Sequence, residues 1–276
     1  MNKVRWGIIG PGEIANNFAD GLSRSYSGEL KGIASKNENR RKTFGDKYSI
    51  NNDFRFSNYE DILNSNEIDA VYISLPHTFH AEYSIKAAGK GKHIICEKPA
   101  AVNFNEGIRV VQAVKEAGVF YAEGFMYRCH PQIPALVKMI KENKIGNIKH
   151  IKSSFGFNIG NIIPNSRLFN IELAGGAILD VGLYPVSFSR MIAGVAVGKK
   201  FINPKKVSGN AQISKTGVDE IAHANFEFEN DITAEASTSI IEDMENKASI
   251  TGTEGVIELD QPWDPGKNGG PYHSSI

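Results

Sequence analysis

The feature that most constrains this chain is the glycine turn that ends its first apolar run. The run VRWGII at residues 4–9 leads into Gly10-Pro-Gly12 and then, three residues on, into Ala15, which together give the pattern G-x-G-x-x-A. Gly10 permits a sharp turn, Gly12 lets a pyrophosphate approach the backbone, and Ala15 lets the following helix pack closely on the strand. A helix that begins here presents its N–H groups and the positive end of its dipole to phosphates. The pattern predicts a dinucleotide-binding strand, turn and helix, with an ordinary glycine-rich turn as the alternative. The predicted cofactor contacts in this segment are Gly10, Gly12, Glu13 and Ile14.

Length and charge exclude several classes of protein. The 276 residues suffice for two domains, and 31 basic residues balance 31 acidic ones. This balance argues against nucleic-acid and membrane-surface proteins, which usually carry a basic excess. No apolar run approaches the ~20 residues of a membrane helix, and the first strand begins too early to leave room for a secretory leader. Cys96 and Cys129 lack metal-type spacing and are read as buried free thiols in a reducing compartment, so we expect a cytoplasmic protein.

Strands alternate with helical patterns through the first half of the chain, which predicts a doubly wound parallel sheet. Asn103, with Glu106 three residues later, resembles a capping box that opens a helix through Ala117. The apolar spacing in this helix predicts a core-facing stripe of Phe104, Ile108, Val111 and Val114. Ligands bind at the carboxyl ends of the strands in such sheets. The predicted strands after the first are Glu29–Ser35, Ala70–Ser74, His93–Cys96 and Val119–Ala122.

The pattern changes near residue 122, where we place the boundary between an NAD(P)-binding Rossmann domain (1–122) and a second domain (123–276). The second half becomes strand-rich, and several strands alternate apolar with polar residues, which predicts a mostly antiparallel sheet with one covered face. The tail from Pro262 is rich in glycine and proline and is expected to be loop. The fold class is therefore α/β plus α+β. The predicted strands are Ile148–Phe157, Lys205–Ser214, Ile221–Phe228, Ile232–Ile240, Lys247–Thr251 and Val256–Leu259.

The end of the second strand indicates which dinucleotide is bound. An acidic residue there would bind the ribose 2′-hydroxyl of NAD, but the chain has Ser35 and Lys36, followed by Arg40 and Arg41. A hydroxyl and cations suit a 2′-phosphate, because this extra dianion needs positive partners. We therefore expect NADP in preference to NAD, with Ser35, Lys36 and Arg40 as contacts. The alternative is a solvated, basic helix start.

Four motifs in order resemble the glucose–fructose oxidoreductase and inositol dehydrogenase family (Gfo/Idh/MocA). Besides the glycine turn, they are Glu97-Lys98-Pro99, Tyr127-Arg128-Cys-His-Pro131 and Gly175-Gly176-x-x-x-Asp180-x-Gly182-x-Tyr184. Within the family, the chain looks most like the trans-1,2-dihydrodiol dehydrogenase and D-xylose dehydrogenase branch, although members usually extend further at the C-terminus. The resemblance implies a Rossmann domain and an α+β domain whose large open sheet often forms a dimer interface. It also implies NAD(P)-dependent oxidation of sugars, polyols or related vicinal diols.

The resemblance assigns a catalytic role to Lys98, which follows a predicted strand and could stabilise a developing alkoxide or take up a proton. It places Tyr184 where members that oxidise sugars carry a tyrosine, so we expect Tyr184 to be the proton carrier, polarised by Lys98. It places Asp180 in the substrate pocket. The alternatives are a surface lysine before a strand-ending proline, a tyrosine packed in the core and an aspartate that caps a helix. Glu97 is expected to be structural or to contact the nicotinamide ribose.

Further cofactor contacts follow from matching positions in the family. His77 and His80 have H-x-x-H spacing, but no third ligand is obvious nearby, so no metal is expected. Arg128 and Arg167 match basic positions near cofactor or substrate, with an ion pair at a domain interface as the alternative. Phe155, Phe157 and Tyr127 are expected in the core. The positions matched to the nicotinamide side are Leu75, Pro76, His77 and His80.

Taken together, the sequence predicts an NADP-preferring dehydrogenase that acts on a sugar or vicinal diol, without nucleic-acid or membrane partners. The family resemblance implies that residues 123–276 bind substrate and form a homodimer or higher homo-oligomer through their sheet. Two alternatives belong to other classes. One is a non-catalytic NAD(P)-binding regulator, and the other is a glycosidase of the same family that uses bound NAD only transiently.

Overall fold

The computed structural model describes residues 3–160, 166–265 and 274–275. Contacts divide the chain into two compact units, Met1–Gly124 and Phe125–Ile276. Each unit has its own sheet and is described separately below.

The first unit is built on a six-stranded sheet with the strand order β3-β2-β1-β4-β5-β6, in which every pair is parallel. The residues of β4 are all buried, as expected for a central strand covered by helices on both faces. This arrangement confirms the predicted doubly wound sheet. Its strands are β1 (Val4–Ile9), β2 (Gly28–Ala34), β3 (Arg55–Phe56), β4 (Ala70–Ile73), β5 (His93–Cys96) and β6 (Tyr121–Glu123). Its α-helices are α1 (Glu13–Leu22), α2 (Glu38–Lys47), α3 (Tyr59–Asn64), α4 (His80–Gly89) and α5 (Phe104–Ala117).

Helix α5 begins and ends as its sequence suggests but buries a different face. The Asn103 side chain accepts a hydrogen bond from the Glu106 N–H, and Gly118 ends the helix in the left-handed conformation. The predicted core stripe is wrong at three of its four positions, since Phe104, Ile108 and Val111 are 78%, 49% and 51% exposed. Helix α4 packs against the neighbouring face of α5 instead. That face carries Val110, Ala113 and Val114, which repeat at the same helical spacing, so periodicity alone could not separate the two stripes.

The second unit contains a seven-stranded sheet with the order β13-β12-β11-β7-β10-β9-β8. Only the pair β7–β10 is parallel, so the sheet is mostly antiparallel, as predicted. Its strands are β7 (Ile148–Gly156), β8 (Lys206–Ile213), β9 (Asp219–Glu227), β10 (Thr233–Ser239), β11 (Ala248–Gly252), β12 (Val256–Leu259) and β13 (Ser274–Ser275). Its α-helices are α6 (Gln132–Lys141) and α7 (Leu183–Ala196), and a π-helical turn, Ile178–Gly182, leads directly into α7.

One face of the second sheet is covered and the other is polar. Helix α7 packs on β7 and β10, where alternate residues such as Ala234 and Ala236 are buried. The intervening residues Thr233 and Glu235 are exposed on the opposite face, because successive strand side chains point to opposite sides. A broad polar face therefore remains open to solvent within this chain.

Three other expectations can be compared with the structure. Cys96 is buried as predicted, but Cys129 is exposed, because it ends a short 3₁₀ helix at the surface rather than lying in a strand. Most of the predicted C-terminal loop, residues 266–273, lies outside the described residues, and residues 274–275 form strand β13. Among the described residues, one helical segment, Ile171–Ala196, is long and apolar enough to cross a membrane by length and composition alone. Half of its apolar 18-residue stretch is buried inside the protein, and core helices of soluble proteins can be equally long and apolar.

Candidate cofactor-binding and catalytic residues

The glycine turn after β1 has a backbone that only glycine adopts easily. Gly10 has a φ of +95°, in the region that side chains disfavour. A Cβ atom at Gly10 would lie 2.9 Å from the carbonyl oxygen of Ser74 and 3.0 Å from the Leu75 side chain. The Ser74 hydroxyl donates to the Gly10 carbonyl oxygen at 2.7 Å. The turn after β1 is therefore fixed against the end of β4.

Gly12 leaves open space in front of the α1 N-terminus. It is the N-cap residue of α1 with an extended backbone, and a Cβ atom built on it would meet no described atom within 4 Å. Glu13 and Ile14 in the first turn are exposed, whereas Ala15 is fully buried against the sheet. The N–H groups of a first helical turn have no partner within the helix and attract anions. The residues present thus fit the pyrophosphate of a dinucleotide.

Cationic side chains surround the end of β2. Ser35 is buried, and its hydroxyl accepts the Asn37 N–H at 3.2 Å. Lys36 and Arg40 are exposed at the start of α2. Arg41 donates from Nη1 to the Ser35 carbonyl oxygen at 2.6 Å, which places a third cation beside this strand end. Arg41 is not among the predicted cofactor contacts, because its hydrogen bond to Ser35 depends on how the start of α2 folds back onto the strand end.

The segment after β4 contains two buried histidines. Leu75, His77 and His80 are 9%, 4% and 1% exposed, and Pro76 is half-buried. The ring nitrogens of His80 lie 2.7 Å from the carbonyl oxygens of Pro99 and Leu75. These contacts involve both ring nitrogens and join the loops that follow β4 and β5. No cluster of His, Cys, Asp or Glu that could hold a metal ion occurs in residues 3–160, 166–265 and 274–275.

Glu97 and Lys98 follow β5 at the same edge of the sheet. Glu97 accepts a hydrogen bond from the Tyr72 hydroxyl, and burial raises the pKa of its carboxyl group. Lys98 is half-buried, and the Lys98–Pro99 peptide bond is cis. Ala100, which follows Pro99, donates its N–H to the Glu123 carboxylate at 2.8 Å. The segment that carries Lys98 is thus attached to the sheet on both sides.

In the second unit, Asp180 lies within the π-helical turn and is paired with Arg167. Asp180 is 5% exposed, and Nη1 and Nη2 of Arg167 lie 3.1 and 3.0 Å from its Oδ1 atom. The alternative that Asp180 caps a helix is wrong, because the cap comes from Asp219 on β9. The Asp219 carboxylate accepts the Ile178 N–H at 2.6 Å and lies against Gly176, where any Cβ atom would collide with it. Burial raises the pKa of Asp219. Sequence analysis missed Asp219, which is distant in the chain.

Tyr184 lies at the start of α7 within an aromatic cluster. It is 4% exposed, and its hydroxyl donates to the Met126 sulfur at 3.4 Å. Met126 itself is 51% exposed, so the hydroxyl lies just beneath a surface side chain. Arg128 donates to the Ser187 hydroxyl at 2.7 Å and to the Tyr127 hydroxyl at 3.3 Å, and thereby holds the segment before α6 against α7. The aromatic residues around Tyr184 are Phe125, Tyr127, Phe155 and Trp263.

Comparison with known protein families places both halves of the chain in one group. Residues 4–125 match the GFO_IDH_MocA oxidoreductase family with an NAD-binding Rossmann fold. Residues 133–258 match a GFO/IDH/MocA C-terminal domain. The two matches together cover most of the chain.

Individual relatives agree with these matches. The chain is 30% identical over 264 residues to trans-1,2-dihydrobenzene-1,2-diol dehydrogenase of Mus musculus, which covers 95% of this chain and 76% of the mouse protein. The Homo sapiens enzyme of the same name is 29% identical over 265 residues, 95% of this chain and 76% of that protein.

Solved structures show the same fold. Aldose-aldose oxidoreductase from Caulobacter crescentus superimposes with a TM-score of 0.86 at 23% identity, covering 100% of this chain and 84% of the other. A 3-ketoreductase from Actinomadura kijaniata, solved with NADP and TDP-benzene, gives a TM-score of 0.83 at 25% identity over 96% and 78% of the two chains. This chain therefore belongs to the Gfo/Idh/MocA family of NAD-binding oxidoreductases.

Proposed function

We propose that the protein is an NADP-preferring dehydrogenase that transfers a hydride between the cofactor and a hydroxyl-bearing carbon of a sugar or vicinal diol. The observation that carries the proposal is the open glycine turn at the start of α1, with a half-buried lysine after β5 in the same parallel sheet. Both features lie at carboxyl ends of strands, where sheets of this kind bind ligands. The names of the mouse relative and of the Caulobacter neighbour support a diol or an aldose as the substrate class.

The cofactor would be held by three segments of the first unit. The turn at Gly10 and Gly12, with the first residues of α1, Glu13 and Ile14, would bind the pyrophosphate. The segments after β4 and β5 would lie along the nicotinamide, with Leu75, Pro76 and His77 on one and Glu97 and Lys98 on the other. We assign His80 to the support of these two segments.

NADP is favoured over NAD by the residues at the end of β2. Ser35 leaves room for a 2′-phosphate where a carboxylate would repel it, and the exposed Lys36 and Arg40 supply positive charge. Arg41 orients this strand end through its hydrogen bond to the Ser35 carbonyl oxygen. The NADP bound to the Actinomadura 3-ketoreductase supports the same preference.

Two groups are assigned to the chemistry. The bound nicotinamide would supply the hydride acceptor. We assign stabilisation of the developing alkoxide to the ammonium group of Lys98. We assign Tyr184 as the base: its deprotonated phenol oxygen would accept the proton of the substrate hydroxyl. The contact of the Tyr184 hydroxyl with a thioether supports this role, because sulfur is a weak acceptor that substrate can replace. Met126 would have to move for that exchange.

Asp180 and the two arginines are assigned to the substrate side. Asp180 is buried and its Oδ1 atom pairs with Arg167, so we propose that its carboxyl group orients substrate hydroxyls by accepting hydrogen bonds. Arg167 fixes the carboxylate in place, and Arg128 fixes the start of α7. Both arginines therefore act, in this proposal, by positioning Asp180 and Tyr184 and not as direct cofactor contacts.

The catalytic assignment is tested with Lys98→Met, which keeps the aliphatic stem and removes the charge. We expect kcat for an aldose or diol with NADP to fall about a hundredfold or more, with little change in the Kd of NADPH. Lys90→Met is the matched control, since Lys90 is exposed at the end of α4, and it should retain the wild-type kcat. A Lys98→Met enzyme with the wild-type rate would remove Lys98 from the mechanism. A wild-type protein that binds NADPH but turns over no member of a broad substrate panel would favour the regulator.

The cofactor assignment is tested with Arg40→Ala. We expect it to raise the Kd of NADPH about tenfold and leave that of NADH nearly unchanged, since only NADPH carries the 2′-phosphate. Lys42→Ala is the control, because Lys42 is exposed on the same helix but pairs with Asp46. If Arg40→Ala and Lys42→Ala bind both cofactors equally well, the 2′-phosphate is not recognised here.

Assembly and location are further parts of the proposal. We propose a homodimer or higher homo-oligomer through the polar face of the second sheet, because this face is exposed within the chain and all residues of its edge strand β8 are exposed. Zero net charge supports a small-molecule substrate and no nucleic-acid or membrane partner. The thiols of Cys96 and Cys129 support the cytoplasm, a reducing compartment. Light scattering during gel filtration gives the mass, and a monomer at all concentrations would contradict the assembly.

A further inference from the structure

His80, the first residue of α4, makes two hydrogen bonds that constrain its protonation. Its side chain is buried, with 1% exposure. Its Nδ1 atom lies 2.7 Å from the carbonyl oxygen of Pro99, and its Nε2 atom lies 2.7 Å from the carbonyl oxygen of Leu75. Pro99 follows β5 and Leu75 follows β4, so one ring joins two separate loops at the carboxyl edge of the sheet.

The chemistry of these partners decides which nitrogens carry protons. A carbonyl oxygen can only accept a hydrogen bond, and a neutral imidazole has one N–H donor and one bare nitrogen. In either neutral tautomer, a lone pair on nitrogen would face a lone pair on oxygen at 2.7 Å. We infer that His80 is held as a doubly protonated imidazolium that donates to both carbonyl groups and ties the loop before His77 to the loop of Lys98.

The surroundings contain both favourable and unfavourable charges for an imidazolium. The helix dipole opposes a cation at an α-helix N-terminus, and so does the loss of hydration. Two charge-assisted hydrogen bonds in a buried setting act in the opposite direction. The Glu123 carboxylate, which accepts the Ala100 N–H next to Pro99, brings a negative charge to the same loop. Glu97, Lys98 and Glu123 lie on or next to the loop that carries Pro99. Helix α4 itself carries Glu82, Tyr83 and Lys86. The titratable groups on the elements that contact α4 are Tyr72, His77, His93, Cys96, Glu106, Arg109, Lys115 and Glu116.

The inference deepens the proposed function and rests on it for its catalytic consequence. The carbonyl group of Pro99 is one residue from Lys98, and that of Leu75 is two residues from His77. His80 is therefore a positioning residue that acts through the backbone of both loops. A side chain with a single donor atom can hold only one of the two loops, so the orientation of Lys98 relative to the cofactor would be lost while the glycine turn stays intact.

The protonation state is tested directly by NMR of the full-length protein with ¹⁵N-labelled histidine. The His80 signals are assigned by their loss in His80→Gln. We expect both ring nitrogens of His80 to carry protons at about pH 8, where an exposed histidine with a pKa of about 6.5 is neutral. A single ring N–H on His80 at about pH 8 would overturn the inference. This measurement needs no turnover, so it stands even if the proposed function fails.

The positioning role is tested with His80→Gln, whose single amide nitrogen cannot reach both carbonyl oxygens. We expect kcat to fall about tenfold or more, while the Kd of NADPH changes less than about threefold. His93→Gln is the matched control, because His93 is exposed and its Nδ1 accepts the Phe120 N–H at 3.0 Å, a contact that links no second loop. Wild-type kcat in His80→Gln would refute the positioning role. If the wild-type protein is inactive but both ring nitrogens of His80 are protonated, the dehydrogenase proposal is refuted and the inference that His80 is an imidazolium still holds.

Discussion

Replacement of Gly12 by alanine should separate folding from cofactor binding. The backbone at Gly12 is extended, with a φ of −84°, and the new methyl group would meet no described atom within 4 Å. Alanine restricts the unfolded chain, which stabilises the fold by about 0.4–1 kcal/mol, but it is a poorer N-cap than glycine by a similar amount. These effects oppose each other, so we expect the free energy of unfolding to stay within about 0.5 kcal/mol of the wild type.

Binding should respond very differently. The added methyl group would occupy open space at the N-cap of α1, where we propose that the pyrophosphate lies. A phosphate pushed away from the N–H groups at the start of α1 loses charge-assisted hydrogen bonds. We therefore expect the Kd of NADPH to rise about tenfold or more, which corresponds to a loss of at least about 1.4 kcal/mol of binding free energy. Urea unfolding measures the first quantity, and titration calorimetry measures the second.

Gly10→Ala is the contrasting variant. Its φ of +95° costs a non-glycine residue roughly 1–3 kcal/mol, and the methyl group would also press on the Ser74 carbonyl oxygen. We expect the free energy of unfolding to fall by about 2 kcal/mol or more. Unchanged NADPH affinity in Gly12→Ala would refute the assignment of this turn to the pyrophosphate. Unchanged stability in Gly10→Ala would refute the requirement for glycine.

Three further predictions use residues away from this turn. Asp219→Ala removes the acceptor for the Ile178 N–H and should lower the free energy of unfolding in urea by about 1 kcal/mol. Asp219→Asn keeps an acceptor and should retain most of that stability. Equal stability of the two variants would contradict the role of Asp219 as a cap. Burial raises the pKa of Glu97 above 4.5, so the folded state keeps this proton to a higher pH than the unfolded state, and the free energy of unfolding falls as pH rises from 4.5 through the folded-state pKa. Glu97→Gln should remove this contribution in unfolding experiments at a series of pH values. An unchanged dependence of stability on pH would contradict the raised pKa. Burial raises the pKa of the Cys96 thiol to about 12, whereas Cys129 is exposed. Iodoacetamide should therefore alkylate Cys129 and not Cys96 in the native protein, because the thiolate is the reactive form. Rapid labelling of Cys96 would contradict its burial.

Much of the fold could be predicted because its signals are local. Strands β5 and β12 match their predicted bounds residue for residue, since short apolar runs between turn residues have few other interpretations. The cap at Asn103 could be predicted for the same reason. The buried face of α5 could not, because two apolar stripes share its helical spacing and only its packing against α4 selects between them. The family motifs in turn indicated which residues to consider for catalysis.

The parts that sequence reasoning missed depend on distant residues. Asp219 caps a helix that starts at Ile178, 41 positions earlier, and no local pattern links the two. Arg41 and Met126 acquire their contacts only after a helix or loop folds back onto its neighbour. His80 was correctly placed at the edge of the sheet, but its two carbonyl partners come from different loops, so its role as a bridge was hidden.

The parallel pairing of β7 with β10 has a consequence for how the chain matures during synthesis. Strand β7 ends at residue 156, and its neighbours β10 and β11 begin only at residues 233 and 248. While the ribosome makes the intervening stretch, this central strand has no partner on either edge, and exposed strand edges promote aggregation. The unit that contains β1 can already be complete by then. Nascent chains stalled between residues 156 and 233 should therefore be the ones that recruit chaperones.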